Sequence, residues 1–417
     1  MSVQTPVSSD GKPVDSNKID AASVILNLVA AGYRPAALIG DWFGYEAVIA
    51  PDISVRTMDP VDLFPTAENA PTSVAELTCE PGGRGTPHNS PWFFGVRPYS
   101  GPAFGGISRS VLVLNDGSWH AINVPADVQR HAFSGAREAT APTIAWDNGN
   151  ESAHTRGVTA CKEAIQAGEV YQACISTRFY GELTTDASLV ASAHWFATKV
   201  REFSPARAAF IPGCPSQSVP TVASLSPEEF LIRNKGTVTE TPIKGTLPIT
   251  ADPAELLASD KDVAENIMIV DLVRHDLGQI ARTGGVRVTD LLSVRPAPGV
   301  WHLFSTVEAD IPETLPHADV IEACFPPASV TGTPKLRAQE LLATWEPVSR
   351  GVHCGCIGAS TGAQLELSVA IRTAEFYDDP ATNIVRVETG IGGGITIDSQ
   401  PAQEWAEIQS KVAPLFE

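Results

Sequence analysis

Val387-Glu388-Thr389-Gly390-Ile391-Gly392-Gly393-Gly394-Ile395 is the stretch whose reading settles the fold class. Four glycines within five residues have the look of a dinucleotide-binding loop. Such a loop must open a helix, because the helix N-terminus receives the pyrophosphate. Here the glycines run instead into Ile395-Thr396-Ile397, a β-branched sequence. Residues 385–397 are therefore predicted as one strand, and a doubly wound nucleotide fold is excluded. Glycines inside a strand either mark a bulge or let backbone N–H groups close on an anion.

Upstream, Ile371-Arg372-Thr373 reads as the end of another strand, where the arginine either forks onto a carboxylate or makes a surface ion pair. Residues 173–180 and 237–242 read as strands as well. Downstream, Asp398 or Ser399 caps a helix over 401–415. A helix over 156–167 stops at Gly168, and another over 336–345 follows Gly332-Thr333-Pro334-Lys335. A long helix over 253–281 carries Leu256, Val263, Ile267, Val270, Val273 and Leu277 at helical spacing. Strands and helices mixed without strict alternation indicate an α+β architecture. In the first half, short apolar runs at 36–40, 46–50 and 110–114, with Pro- and Gly-rich turns at 80–85 and 98–106, predict a β-rich lobe over 21–150. Residues 137–152 are polar and suit a linker or long surface loop, and 1–20 suit a disordered tail.

The formal charge of −19, from 29 Lys and Arg against 48 Asp and Glu, argues against nucleic acid or an anionic membrane as partner. A small anionic substrate needs a local positive site built against that background. Seven scattered cysteines include only Cys354 and Cys356 as near neighbours, without the spacing of a zinc or redox motif. Reduced thiols in a cytoplasmic protein are the expectation. No apolar stretch approaches the ~20 residues of a spanning helix, and the first twenty residues lack the apolar core of a leader.

Two carboxylate pairs stand at helical spacing: Asp262 with Glu265, and Glu404 with Glu407. Each pair shares one helix face, which makes either a magnesium grip or a solvated acidic surface. Lys244, in Pro242-Ile243-Lys244-Gly245-Thr246 at the end of a strand, is either a desolvated nucleophilic amine or a surface lysine. Glu228 precedes it on a neighbouring strand, with a turn around Asn234-Lys235-Gly236 between, and would be the acid to that nucleophile.

Taken together, these blocks resemble the chorismate-binding enzymes: anthranilate synthase large subunit, aminodeoxychorismate synthase component one, isochorismate synthase and salicylate synthase. The resemblance runs from about Arg156 to the C-terminus. It includes Gly168-Glu169-Val170-Tyr171-Gln172, Ser226-Pro227-Glu228, Pro242–Thr246, Ala264-Glu265-Asn266-Ile267-Met268-Ile269-Val270-Asp271-Leu272, His302-Leu303-Phe304-Ser305-Thr306, Thr331-Gly332-Thr333-Pro334-Lys335, Ile371-Arg372-Thr373 and Asp398-Ser399.

The resemblance implies a two-lobed, largely antiparallel β-sandwich with helices packed outside and the active site between the lobes. Residues 151–417 would form the chorismate-binding catalytic region, intertwined with the N-terminal lobe. Glu265 and Glu407 match the magnesium ligands, with Asp262 and Glu404 around the ion. Lys411 matches a position near the ring carboxylate, and Arg372 with the Gly392, Gly393 and Gly394 amides matches the grip on the enolpyruvyl carboxylate. Glu228 matches the general acid, while His302, Ser329 and Thr246 match residues around the ring. Lys244 aligns with the lysine of aminodeoxychorismate synthases, where it attacks C2 before ammonia enters at C4; anthranilate synthases usually carry alanine there. Gln172 stands where the water-adding members place a lysine base.

The implied product is 4-amino-4-deoxychorismate, the precursor of p-aminobenzoate for folate. The implied ammonia source is a separate glutamine amidotransferase subunit. Anthranilate synthesis, or a non-catalytic subunit binding chorismate or the amidotransferase, are the competing readings. The chain departs from the family pattern at His275, Glu229, Thr333 and Ala328. It also has His353 and Ala359 where aromatic residues are common.

Overall fold

The computed structural model describes residues 19–66, 90–185, 187–297, 299–379, 382 and 384–416. Strands such as Ala36–Trp42 are apolar on consecutive residues, which is the pattern of a strand covered on both faces. Ala37 joins one apolar core and Leu38 another, on opposite faces.

The strands make two large sheets, and all the pairings are antiparallel. The first runs, edge to edge, through Gly332–Thr333, Gln172–Thr184, Ile384–Ile395, Thr373–Asp379, Thr221–Ser226, Arg207–Ile211, Ala36–Trp42, Tyr45–Ala50, Val111–Asn115 and Ser118–Ile122. The second runs through Ile243–Pro248, Val300–Asp310, Thr237–Glu240, Glu229–Asn234, Gln364–Val369, Cys356–Thr361, Trp92–Arg97, Ala103–Ser108 and Arg56–Met58. Each sheet therefore takes strands from both sides of residue 150.

Leu38, Val48, Ala209 and Val222 of the first sheet pack against Phe94, Val96 and Ile357 of the second. Helices cover the outer faces. Ala21–Ala30, Ser188–Phe203 and Pro401–Phe416 lie on the first sheet, with Ile25, Phe196 and Ile408 in its outer core. Asp260–Gly278 and His317–Cys324 cover the second through Ile269, Val273 and Ile321. The α+β class and the helix-clad antiparallel sandwich expected from the sequence are both present. No helix among the described residues is long and apolar enough to cross a membrane.

Several local expectations shift. The helix expected over 253–281 is two, Ala254–Ala258 and Asp260–Gly278. Ser259 is extended between them, and its hydroxyl caps the second by accepting from the Asp262 N–H at 3.2 Å. The helix expected from 156 begins at Glu151, capped by Asn150, inside the stretch read as a linker. Neither Asp398 nor Ser399 is shown capping the last helix through its side chain: the Ser399 hydroxyl accepts from the Thr396 N–H instead. Residues 98–106, read as a turn, run into the strand Ala103–Ser108. Lys244 lies near the start of a strand, and Arg372 between two strands, where strand ends were expected. The turn at 80–85 and the tail up to residue 18 lie outside the described residues; Ile19 is buried and Asp20 caps the first helix. The described cysteines are free thiols, all but Cys214 buried.

Candidate active site

Two crossings between the sheets build the site. The chain leaves the first sheet at Ser226 and enters the second at Glu229, which puts Glu228 on the crossing. It leaves the second sheet at Val369 and re-enters the first at Thr373, with Arg372 on that crossing. The two are tied together: the Val369 N–H donates to the Glu228 carbonyl at 3.1 Å, and the Leu225 N–H to the Arg372 carbonyl at 3.0 Å. Arg372 adopts a φ of 50° to make the turn. A non-glycine residue enters that region at a cost of about 1–3 kcal/mol, and such strain tends to collect at functional positions.

Lys244 comes from the edge strand Ile243–Pro248. Its pairing with Val300–Asp310 slips between Ile243 and Thr246, a bulge that re-aims the side chains within it. Gly245 carries the bulge at a φ of 82°, and a Cβ there would stand 3.1 Å from both Asp262 Cβ and Leu256 Cδ2. Glycine thus lets the helix Asp260–Gly278 close on this strand. Lys244 Nζ donates to the Ser329 carbonyl at 3.1 Å.

The glycine run lies on Ile384–Ile395. One edge of that strand is laddered to Gln172–Thr184 over its whole length; the other pairs with Thr373–Asp379 only as far as Thr389. Beyond Thr389, alternate N–H groups of an antiparallel strand point to an edge that no described strand covers. Those groups stand at the wall of a cavity of ≈ 170 Å³, lined also by Glu228, Lys244, Ser329, Arg372 and Lys411.

Charge inside the cavity is set by burial. The Glu228 carboxyl is pushed up by desolvation; the Ser329 hydroxyl, Lys244, the Ile243 backbone and Arg372 oppose that without reversing it. Glu228 is thereby disposed to hold a proton. A Cβ at Gly394 would stand 3.5 Å from Lys244 Nζ, 3.6 Å from Gln172 Oε1 and 3.9 Å from Glu265 Oε2; one at Gly393 would be 3.4 Å from Glu404 Oε2. The glycines, Lys244, Gln172 and two of the four candidate metal acids therefore converge. Glu265 is buried, with Oε1 lacking a hydrogen-bond partner; its carboxyl is raised by desolvation, lowered by Lys244 and Lys261, and raised again by Asp262 and Glu404. Glu407 is placed differently. It is half-exposed and bound to Lys411 Nζ at 2.6 Å. Burial alone would raise its carboxyl, but Lys411, with Lys261 and Lys244 beyond, holds it below the usual value.

His302 and Thr246 face each other across the strand pair, Thr246 Oγ1 to His302 Nδ1 at 2.9 Å. Burial and then the Arg372 charge lower the imidazole, against a hydrogen bond that the ring donates to the Gly245 backbone. His302 lines an adjoining cavity of ≈ 570 Å³ that shares Arg372 and Lys411 with the first. Lys335 of the Thr331–Lys335 block is not at the cavity: it pairs with buried Asp276 at 2.5 Å and donates to the Cys324 and Pro326 carbonyls. Glu229, where arginine is usual, pairs with Arg207 at 3.0 Å, and Arg207 also binds Glu366 at 2.7 Å.

Cys174, Val330 and Cys354 complete the wall without any signal in the sequence, and His353 was noted there only as a departure. Arg350 is another residue that sequence reasoning passes over. Buried and paired with Glu346 at 2.6 Å, it donates to the carbonyls of Val330 at 2.8 Å and Cys174 at 2.6 Å, so it holds two sides of the cavity together. A larger cleft of ≈ 770 Å³ elsewhere is lined by Asp20, Asp41, Glu46 and Asp116, with Arg201 already bound to Asp20, and is poorly suited to an anion.

The chain is 44% identical over 199 residues to aminodeoxychorismate synthase component 1 of Klebsiella aerogenes, covering 46% of this chain and 43% of the relative. It is 36% identical over 259 residues to the protein of that name from Escherichia coli K12, covering 60% and 54%. The match thus takes in about half the length of these curated relatives. The fold is shared with anthranilate synthase component I from Streptococcus pneumoniae TIGR4, at a TM-score of 0.67 and 21% identity over 87% of this chain and 92% of that one. Residues 116–417, a span that includes every lining residue of the ≈ 170 Å³ cavity, match the family described as chorismate binding enzyme, and to that family the chain belongs.

Proposed function

We propose that the protein is an aminodeoxychorismate synthase, converting chorismate and ammonia to 4-amino-4-deoxychorismate. The observation that carries this reading is the placement of Lys244: a primary amine on a bulge, lining the same cavity as Glu228 and beside the open glycine edge. In the direct amination that gives anthranilate, ammonia itself must reach C2. A lysine there occupies that approach and supplies a nucleophile of its own.

In the proposed sequence Arg372 and those alternate amides of the Gly392–Gly394 run that face the uncovered edge bind one carboxylate of the substrate. The lone pair of the Lys244 amine forms a bond to C2, both conjugated double bonds of the ring shift by one position, and the C4–O bond breaks. Glu228 gives its proton to the leaving hydroxyl, which departs as water. Ammonia then forms a bond at C4, both double bonds shift back, the C2–N bond to Lys244 breaks with its electron pair returning to the amine, and the new C4 ammonium returns a proton to Glu228. Gln172 cannot take a proton from water at neutral pH, which disfavours hydration as the reaction.

Magnesium fits the acid set at one point in particular. Among the described residues no three His, Cys, Asp or Glu side chains form a ready-made metal cluster. A magnesium site needs only one or two carboxylates beside water and substrate oxygens, and Glu265, with a buried oxygen lacking a hydrogen bond and Glu404 near by, answers that need. When bound, the ion would neutralise the substrate's ring carboxylate. Ammonia is assigned to a glutamine amidotransferase partner on the strength of the relatives' chemistry.

The test is incubation with chorismate, magnesium and ammonium. Wild type is expected to yield p-aminobenzoate only after a lyase is added, with no anthranilate fluorescence. Lys244→Ala is expected to lose aminodeoxychorismate formation or divert it to anthranilate. Unchanged product from that variant would defeat the nucleophile assignment, and anthranilate from wild type would favour the competing reading.

A further inference from the structure

The proposed reaction gives no role to Lys335, which ends the Thr331–Lys335 block outside the cavity. Its Nζ has three acceptors: Asp276 Oδ2 at 2.5 Å, the Cys324 carbonyl at 2.7 Å and the Pro326 carbonyl at 2.8 Å. An ammonium carries three N–H donors, so all of them are used. The Lys335 side chain is only 10% exposed and that of Asp276 3%. This placement does nothing for the helix Lys335–Trp345 that it begins, because a cation in the first turn opposes the helix dipole. The reason for a lysine lies in what it holds.

The amine reaches back along its own chain and closes residues 325–334 into a loop at the base. Three of those ten residues are proline, which offers no N–H to a ladder. The loop is held instead by its carbonyls. Lys335 takes the one at Pro326, Arg350 takes that of Val330 at 2.8 Å, and the Cys174 and Tyr171 N–H groups take those of Thr331 and Thr333, each at 2.8 Å. Ser329 stands between these anchors and touches both reacting groups. Its carbonyl accepts from Lys244 Nζ at 3.1 Å, and its hydroxyl donates to the Glu228 carboxyl.

We infer that Lys335 is a positioning residue for the amination: by clasping the base of the 325–334 loop it fixes Ser329, and through Ser329 the placement of nucleophile and acid relative to each other. Asp276 holds the amine in turn, from the helix that also carries Glu265. The inference rests on Lys244 and Glu228 being the groups that react. Arg372 and the glycine run lie on other elements, so the grip on the substrate carboxylate does not depend on the clasp.

Turnover at saturating chorismate, magnesium and ammonium, with a lyase added, is read beside the calorimetric Kd for chorismate, whose stoichiometry counts folded sites. Lys335→Met is expected to lower kcat per folded site at least about tenfold, as a small misplacement of reacting groups does, and to leave Kd within about threefold. Arg337→Met removes an exposed ion pair with Glu169 from the same helix and is expected to leave both values unchanged. Lys335→Met strands a buried carboxylate, so the double variant Lys335→Met with Asp276→Asn carries the comparison where the single one fails to fold. A smaller loss of kcat, or a Kd weakened as much as kcat falls, overturns the inference. Lys244→Ala in parallel separates the clasp from the reaction. Unchanged aminodeoxychorismate formation in that variant removes both. Its loss there, with normal turnover in Lys335→Met, leaves the reaction standing and overturns only the role of Lys335.

Discussion

At the scale of single residues, burial sets protonation well away from the cavity too. His154 is 2% exposed, packs 5.5 Å from the Trp405 ring, and neither of its nitrogens has a hydrogen-bond partner. Desolvation lowers it to about 4 from an ordinary 6.5. The unfolded chain therefore binds a proton between those values that the folded chain refuses, and stability falls as pH drops from 6.5 towards 4. His154→Leu removes this linkage. The stability difference between variant and wild type, from urea denaturation, is expected to shift by about 2 kcal/mol in favour of the variant between pH 7.5 and 5. A constant difference across that range would mean His154 is hydrated or bonded. Nothing in the sequence around His154 announces this, because its burial comes from packing against a helix some 250 residues away in the chain: 405 − 154 = 251.

At the scale of elements, periodicity alone does not decide where helices begin, and at Asp20, Asn150 and Ser259 a side-chain cap marks the start. Apolar spacing runs unbroken across Ser259, yet its extended backbone ends one helix and its hydroxyl caps the next. The first helix shows the same device: Asp20 accepts from the Ser23 N–H at 2.8 Å and also pairs with Arg201 at 2.7 Å. Asp20→Ala is expected to cost about 1 kcal/mol, read from denaturant midpoints at unchanged m, since the exposed ion pair adds little to the cap. An unaltered midpoint would show the cap to be dispensable. The strand 384–395 was the most legible element, because glycines followed by β-branched residues have one reading. The bulge at Lys244–Gly245 was not legible, since a slip in register belongs to two strands at once.

At the scale of the whole molecule, the site exists because two sheets are joined by two adjacent crossings and a helix from each flank brings an acid to the glycine edge. Glu265→Gln keeps the shape of that arrangement and removes one charge. Magnesium titration by calorimetry, with turnover in parallel, is expected to show the apparent affinity reduced at least tenfold, roughly the range known for lesser perturbations of a metal site. A wild-type magnesium response in the variant would take the ion away from Glu265.

The sequence by itself determined the α+β class, through local periodicity, and the family, through ordered blocks of residues; the antiparallel sandwich came as what that resemblance implies. It also named Lys244, Glu228, Arg372 and the glycine run as candidates. Only the tertiary structure decided where the side chains go: Glu265 and Glu404 at the glycine edge, Glu407 in an ion pair with Lys411, Lys335 paired with Asp276, and His353 in the cavity wall. Spacing along one element reports which residues share a face. Convergence between elements depends on register, crossing and burial, which arise only when distant segments pack.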